Sequence, residues 1–333
     1  MKLALKAIAL SALTLGLSAI LTGCTASYRI TQAEQAFPPI GDFVTVQGGA
    51  KVHYIQAGSG PDVVLIHGAG GNLRDFKFDL FDKLTDHYRV TAFDRPGLGY
   101  TDRYPGLDTS ALATKGESPL QQATMLREAA MQLGVRNPIV VGHSMGGIVA
   151  YEWALMGLDR DSDVNAAAMV SFAGVAMPWP GDLGPYYTIN ASAFGDAIAI
   201  PLISAFVPTS TVKEVIEDTF APQTAPAGYG DYVGAALALR PETFRANVRQ
   251  VNSLRPYTIE MAKLYPSLTL PIEILHGTAD TTVPIKIHSE KVIALVKSAH
   301  LTRLNGVGHM PHHVDPGSAI AAIDRAAARA GLR

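Results

Sequence analysis

One cysteine in 333 residues leaves nothing from which an internal disulfide framework or a cysteine-rich metal cluster could be built. Charge is also scarce. Only 17% of the residues are charged, and 27 basic against 29 acidic residues leave a formal net charge of −2. With no run of Lys or Arg to track phosphates, the chain offers no footing for a nucleic acid. Internal repeats and low-complexity tracts are absent too, so a solenoid or a disordered tail does not explain the length. Apolar residues, by contrast, make up 48% of the chain. That fraction suits a packed globular protein of one large domain or two ordinary ones.

The single cysteine sits at an informative place. Met1 to Lys6 carry two lysines and no acid, and Ala7 to Leu21 are almost entirely apolar. This order reads as a secretory signal peptide, because an apolar stretch of about 15 residues falls short of the roughly 20 needed to span a bilayer. It ends in Leu21-Thr22-Gly23-Cys24, which resembles the bacterial lipoprotein lipobox. That resemblance implies cleavage before Cys24, a diacylglyceryl group on its sulfur, and an exported protein held to a membrane by acyl chains. Thr25, not Asp, follows the cysteine, which by the family sorting rule points to the outer membrane of a Gram-negative cell. Residues 1–23 are thus expected to be removed, and residues 24–41, with Pro38-Pro39, to form a tether.

From Asp42 onward, β-prone and helical patterns alternate. Phe43–Val46 and Val52–Ile55 read as a hairpin around Gly48-Gly49. Continuous apolar runs at Asp62–His67, Arg89–Phe93, Pro138–Val141, Ala166–Phe172, Pro271–Leu275 and Leu301–Leu304 suit parallel strands buried on both faces. Helices are expected at Pro119–Leu133, with Ser118 as N-cap, at Met145–Met156, around Ile285–Val296 and at Ser318–Ala330. This rhythm predicts an α/β fold, a doubly wound and mostly parallel sheet. Residues 177–268 break it. They hold aromatics, alanines and helical segments such as Ser210–Phe220 and Pro241–Leu254, without a buried-strand signal. A stretch this long is not a loop. It is expected to be a helical cap inserted into a core formed by residues 42–176 and 269–333.

Three short motifs carry the chemistry. Gly142-His143-Ser144-Met145-Gly146 lies between an apolar strand and a helix, where small flanking residues let a tight turn lift the serine hydroxyl above the sheet. Serine is a poor nucleophile unless a base lies within hydrogen-bond reach. After two later strands come His276-Gly277-Thr278-Ala279-Asp280 and Gly306-Val307-Gly308-His309, which put an acid and a histidine at the same end of the sheet. His67-Gly68-Ala69-Gly70-Gly71 follows the strand ending near Ile66, and its glycines free the backbone to turn N–H groups toward the site. It matches neither of the glycine-rich phosphate-loop patterns.

These motifs, with Phe93-Asp94-Arg95-Pro96-Gly97-Leu98-Gly99 and Gly308-His309-Met310-Pro311, resemble the α/β-hydrolase superfamily over roughly residues 41–331. The similarity is greatest to the single-cap branch of esterases, cofactor-free haloperoxidase-like enzymes, proline iminopeptidases, dehalogenases and epoxide hydrolases. Dehalogenases and epoxide hydrolases carry an aspartate where Ser144 stands. The resemblance implies Ser144 as nucleophile, Asp280 as acid and His309 as base, with the Ala69 and Met145 N–H groups as oxyanion hole. It also implies an acyl-enzyme route for a small or medium apolar ester, with no cofactor. The same residues serve amide, C–C and peracid chemistry, and a non-catalytic binding module is the remaining alternative.

Other residues carry weaker signals. Gly70, His143 and Trp179 are expected beside the substrate. Asp94-Arg95 reads as a pair pinning the loop after its strand. Arg245 and Arg249, one helical turn apart, read as an exposed basic face. His309, His312 and His313 suggest a metal, but no acid or cysteine lies at ligand spacing, so no metal is expected. No protein partner is indicated.

Overall fold

The computed structural model describes residues 2–110, 112–158 and 162–333. Met1 and the side chains of Lys2 and Lys6, part of the expected leader, lie outside what is described. Eight strands form one sheet: β1 (Asp42–Thr45), β2 (Lys51–Ala57), β3 (Asp62–Ile66), β4 (Arg89–Phe93), β5 (Ile139–His143), β6 (Ala168–Phe172), β7 (Ile272–Gly277) and β8 (Ala299–Leu304). Their order is β1-β2-β4-β3-β5-β6-β7-β8. β1 and β2 pair antiparallel, as the hairpin pattern predicts, and β2 meets β4 antiparallel. Every pairing from β4 to β8 is parallel. The fold is the expected doubly wound α/β sheet with an inserted helical cap.

The helices, in chain order, explain the layers. α1 (Lys2–Ala36) precedes the sheet. α2 (Arg74–Lys77) and α3 (Leu80–Leu84) join β3 to β4, α4 (Pro119–Gln132) precedes β5, and α5 (Met145–Met156) follows it. Between β6 and β7 lie α6 (Pro185–Asn190), α7 (Ile200–Phe206), α8 (Thr209–Thr219), α9 (Tyr229–Tyr232), α10 (Pro241–Asn252) and α11 (Leu254–Leu264). α12 (Ser289–Leu295) joins β7 to β8, and α13 (Pro311–Val314) and α14 (Pro316–Arg329) end the chain. Ser118 caps α4 as expected: its Oγ accepts from Gln121 N–H at 3.1 Å while Gln121 Oε1 accepts from Ser118 N–H at 2.9 Å. α14 begins two residues earlier than expected, because Asp315 caps it and proline suits its first turn.

The apolar strands feed two cores by simple alternation. Val64 and Ile66 of β3, Val140 of β5 and Ile272 and Ile274 of β7 face one core with Met125, Leu126, Ile148 and Trp153 of α4 and α5. Val63, Leu65, Ile139, Val141 and Leu275 face the other with Leu80, Phe81, Ala322 and Ile323. Successive side chains of a strand point to opposite faces, so a run apolar at every position is what a sheet covered on both sides requires.

Two expectations need correcting. Residues 25–36 are not an extended tether but the carboxyl-terminal part of α1, where Ala26 and Ala33 are buried. This part docks on the cap: Arg29 Nη2 donates to Val207 O at 2.6 Å, and Arg240 pairs with Glu34 at 3.0 Å. The pair Arg245 and Arg249 is not an exposed face either. Arg249 is fully buried, donating to Ser110 O at 3.0 Å and lying 3.5 Å from Asp196, which also pairs with Arg245. Among the described residues no single helix is long and apolar enough to cross a membrane.

Candidate active site

The turn after β5 is held in an uncommon backbone conformation. Ser144 has φ 51° and ψ −119°, a region costing a non-glycine residue about 1–3 kcal/mol unless its surroundings impose it. Here they do. Ser144 N–H donates to Phe172 O at 3.0 Å, and Ser144 O accepts from Gly147 N–H at 2.9 Å and Val175 N–H at 2.8 Å. The flanking glycines answer to space: a Cβ on Gly142 would lie 2.3 Å from Gly146 O, and one on Gly146 would lie 2.1 Å from Ile66 O. The turn is therefore clasped between β6 and the end of β3.

Asp280 follows β7 and His309 follows β8; His309 reaches Ser144, and Asp280 reaches His309. His309 Nε2 lies 2.9 Å from Ser144 Oγ, and His309 Nδ1 lies 2.8 Å from Asp280 Oδ2. Asp280 Oδ1 accepts from the Thr282 and Val283 N–H groups, each at 2.9 Å, and Oδ2 also lies 3.1 Å from His276 Nε2. Burial alone pushes the Asp280 carboxyl up. The hydrogen bonds from His276 and His309 and the backbone outweigh it and hold the group well below the usual carboxylate range. An ionised Asp280 makes Nδ1 of His309 the protonated nitrogen and leaves Nε2 to accept from the serine. His276, visible in the sequence only as part of the aspartate motif, orients that carboxylate and is itself fixed by Ser289 Oγ at 2.6 Å.

The loop after β3 is shaped by Arg95. Its Nε donates to His67 O at 2.9 Å and its Nη2 to Gly68 O at 3.0 Å. In a trans peptide the C=O and N–H point in opposite directions. Binding Gly68 O therefore turns the Ala69 N–H away from Arg95. A Cβ on Gly68 would lie 3.1 Å from Ser144 Cβ, which shows how closely this loop passes the serine. His67 locks the arrangement, its Nδ1–H donating to Gly68 O and its Nε2 accepting from Arg95 N–H, both at 2.9 Å. Burial, reinforced by the Arg95 charge, lowers His67 to about 4 and keeps it neutral. Asp94 and Arg95 do not pair with each other. Asp94 instead binds His53 and the Leu73 and Tyr100 N–H groups.

The remaining expected contacts fall in different places. The Gly70 N–H is taken by Asn247 Oδ1 of α10 at 2.7 Å, so it ties the cap to the loop. His143 is buried behind the site, with Nε2 3.1 Å from His309 O. Trp179 is half-buried at the start of the cap and packs on His288 with ring centroids 6.3 Å apart. Cys24 is exposed on α1. Arg95 stands in the Phe93–Gly99 motif, but its grip on the His67 and Gly68 carbonyls is visible only in the fold; Asn247 has no residue pattern that distinguishes it from a surface polar group.

Comparison with known proteins adds to this geometry. The profile of the alpha/beta hydrolase family matches residues 63–323. An uncharacterized protein of Mycobacterium tuberculosis is 28% identical over 295 residues, covering 86% of this chain and 81% of its own. A pimeloyl-[acyl-carrier protein] methyl ester esterase of Vibrio vulnificus is 26% identical over 282 residues, covering 80% of this chain and 94% of its own. Among solved structures, a thermophilic esterase from Thermogutta terrifontis superposes with a TM-score of 0.67 at 19% identity, over 87% of this chain and 99% of that one.

Proposed function

The chain belongs to the alpha/beta hydrolase family, and from that premise we propose that it is a serine esterase using Ser144, His309 and Asp280 as its triad. The observation that carries the reading is the unbroken line of hydrogen bonds from Ser144 Oγ through His309 to Asp280, at 2.9 and 2.8 Å. In the first half-reaction Ser144 Oγ bonds to the ester carbonyl carbon while its proton passes to His309 Nε2. The carbonyl oxygen becomes an oxyanion facing the Ala69 and Met145 N–H groups, the latter opening α5. His309 then gives its proton to the departing alkoxide, which leaves as the alcohol. Water, deprotonated by the same nitrogen, releases the acid and restores the serine. Asp280 stays ionised throughout and stabilises the imidazolium.

A small or medium apolar acyl group suits a serine that is 8% exposed beneath an apolar cap. The esterase names of a relative and of a structural neighbour support the ester bond over its alternatives. A panel of p-nitrophenyl esters of graded chain length, run beside a fluorophosphonate probe, tests the assignment. Wild type should turn over and label at Ser144; Ser144→Ala should do neither. Turnover surviving in Ser144→Ala would overturn it.

The reading extends to location. An exposed Cys24 sulfur on α1 is accessible for a diacylglyceryl thioether, and the residues after it hold the cap. The protein is then an exported, membrane-anchored lipoprotein. Cys24→Ser should move the activity from the membrane fraction to the soluble one; an unchanged distribution counts against the anchor.

A further inference from the structure

Behind His309, away from Ser144, four side chains from three distant parts of the chain meet around one carboxylate. Asp75 comes from α2, His143 from the end of β5, and His312 and His313 from α13. All four are more than nine-tenths buried. Asp75 Oδ1 lies 2.7 Å from His313 Nε2 and 3.5 Å from His312 Nε2, and Asp75 Oδ2 lies 3.8 Å from His143 Nδ1. One donor atom each from Asp75, His312 and His313 falls within 4.8 Å of the others.

The hydrogen-bond inventory of this cluster does not close with protons. His143 Nε2 faces the carbonyl of His309 at 3.1 Å, so it must carry the hydrogen. A neutral ring then keeps a bare lone pair on Nδ1, directed at the side of the cluster where Asp75 stands, and this atom has no partner. His312 makes no hydrogen bond at either nitrogen, its Nε2 having only Asp75 Oδ1 at 3.5 Å. Its ring is sandwiched instead, parallel to Phe172 with centroids 5.6 Å apart and 4.5 Å from His143. A buried polar atom without a hydrogen-bond partner costs about 1–3 kcal/mol, and four such imidazole nitrogens stand around Asp75. Unpartnered imidazole nitrogens around a buried carboxylate are an arrangement that a cation would resolve.

We propose that Asp75, His312 and His313 form a structural site for one divalent transition-metal ion of the Zn²⁺ type, with His143 packed beside it. Two imidazole nitrogens and one carboxylate oxygen are donors that zinc accepts, whereas Mg²⁺ and Ca²⁺ favour oxygen cages. The site is closed by protein on all sides, so it fastens rather than reacts. Tyr229 of α9 donates to Asp75 Oδ1 at 2.7 Å and so joins the cap to the ligand set. The sequence alone gave no reason to expect this, because the acid partner stands 238 residues from His313.

The test uses the full chain, purified in metal-free buffer and analysed by elemental mass spectrometry, then stripped with a chelator and titrated with Zn²⁺ or Mg²⁺. About one Zn²⁺ per chain is expected, with a rise in Tm on adding Zn²⁺ and none with Mg²⁺. Asp75→Asn and His313→Gln should each weaken Zn²⁺ binding by at least 100-fold, whereas Tyr229→Phe, which keeps all three donors, should still bind one equivalent. Should either substitution prevent folding, His312→Gln provides the same readout from a residue without hydrogen bonds to lose. Absence of stoichiometric Zn²⁺ in the folded wild type, both as purified and after titration, would overturn the proposal. So would unchanged binding in the folded ligand variants. Ester turnover is recorded separately, so failure of the metal site leaves the triad assignment untouched.

Discussion

Two buried carboxylates serve the same histidine loop, and their surroundings differ. Asp280 has both oxygens occupied, Oδ1 by two backbone N–H groups and Oδ2 by two imidazoles. Asp75 gathers three imidazoles and a phenol, yet four imidazole nitrogens around it make no hydrogen bond. A closed inventory fits a group that stays ionised while a proton moves one residue away. An open one fits a group waiting for a different charge. The difference shows that burial and neighbouring histidines do not define a role; the count of satisfied atoms does.

The comparison breaks most sharply if the two carboxylates are exchanged for amides. Asp280→Asn should lower kcat by about 10³–10⁴-fold with little change in KM, since the wrong His309 tautomer would be favoured. Asp75→Asn should leave kcat within about tenfold, because none of its contacts touches the reacting atoms. Steady-state kinetics on one p-nitrophenyl ester decides this, and equal losses would erase the distinction.

Acid provides a second, smaller contrast. Burial holds both His67 and His288 at about 4, below the unfolded value of about 6.5. Their neutral forms therefore favour the folded state fully above pH 6.5, and that contribution is lost as pH falls toward 4. The loss is of order 3 kcal/mol for each group. Urea midpoints measured from pH 7.5 to 4 should decline across this window, and His288→Gln should flatten the decline. Asp280, held low, adds nothing until more acidic conditions.

Smaller effects sharpen the picture of the loop over Ser144. Gly68→Ala would set a methyl 3.1 Å from Ser144 Cβ and His143 Nδ1, and displacing the loop by a few tenths of an ångström should cost about tenfold in kcat. Asn247→Ala removes the hydrogen bond to Gly70 N–H. It should lower kcat/KM by about fivefold, the equivalent of one lost hydrogen bond near 1 kcal/mol. A kcat unchanged in Gly68→Ala would mean that the loop yields without moving its N–H groups.

Much of this architecture is legible in the sequence. Six apolar runs mark β3 to β8 within a few residues, since a parallel strand covered on both faces is apolar at most positions, and two β-prone runs around Gly48-Gly49 mark β1 and β2. Ser118 announced its helix through a cap that operates over three residues. The turn at Ser144 was readable because close approach there admits only glycine at 142 and 146. These are local constraints, and a local constraint leaves a local mark.

The partners were not legible. Arg249 reads as a surface cation from its spacing with Arg245, yet it is buried because Asp196 and Ser110 O come to it from 53 and 139 residues away. α1 continues through the expected tether because the cap supplies a surface for Ala26 and Ala33. The adjacent histidines 312 and 313 lacked an acid only as long as the chain was read as a line. By itself the sequence determined the strand order of the chemistry, the tight turn and the apolar layers, because each follows from patterns within about ten residues. Tertiary structure alone decided which buried charges meet and which nitrogens are left unpaired, because burying a charge depends on a partner that the fold brings from far along the chain.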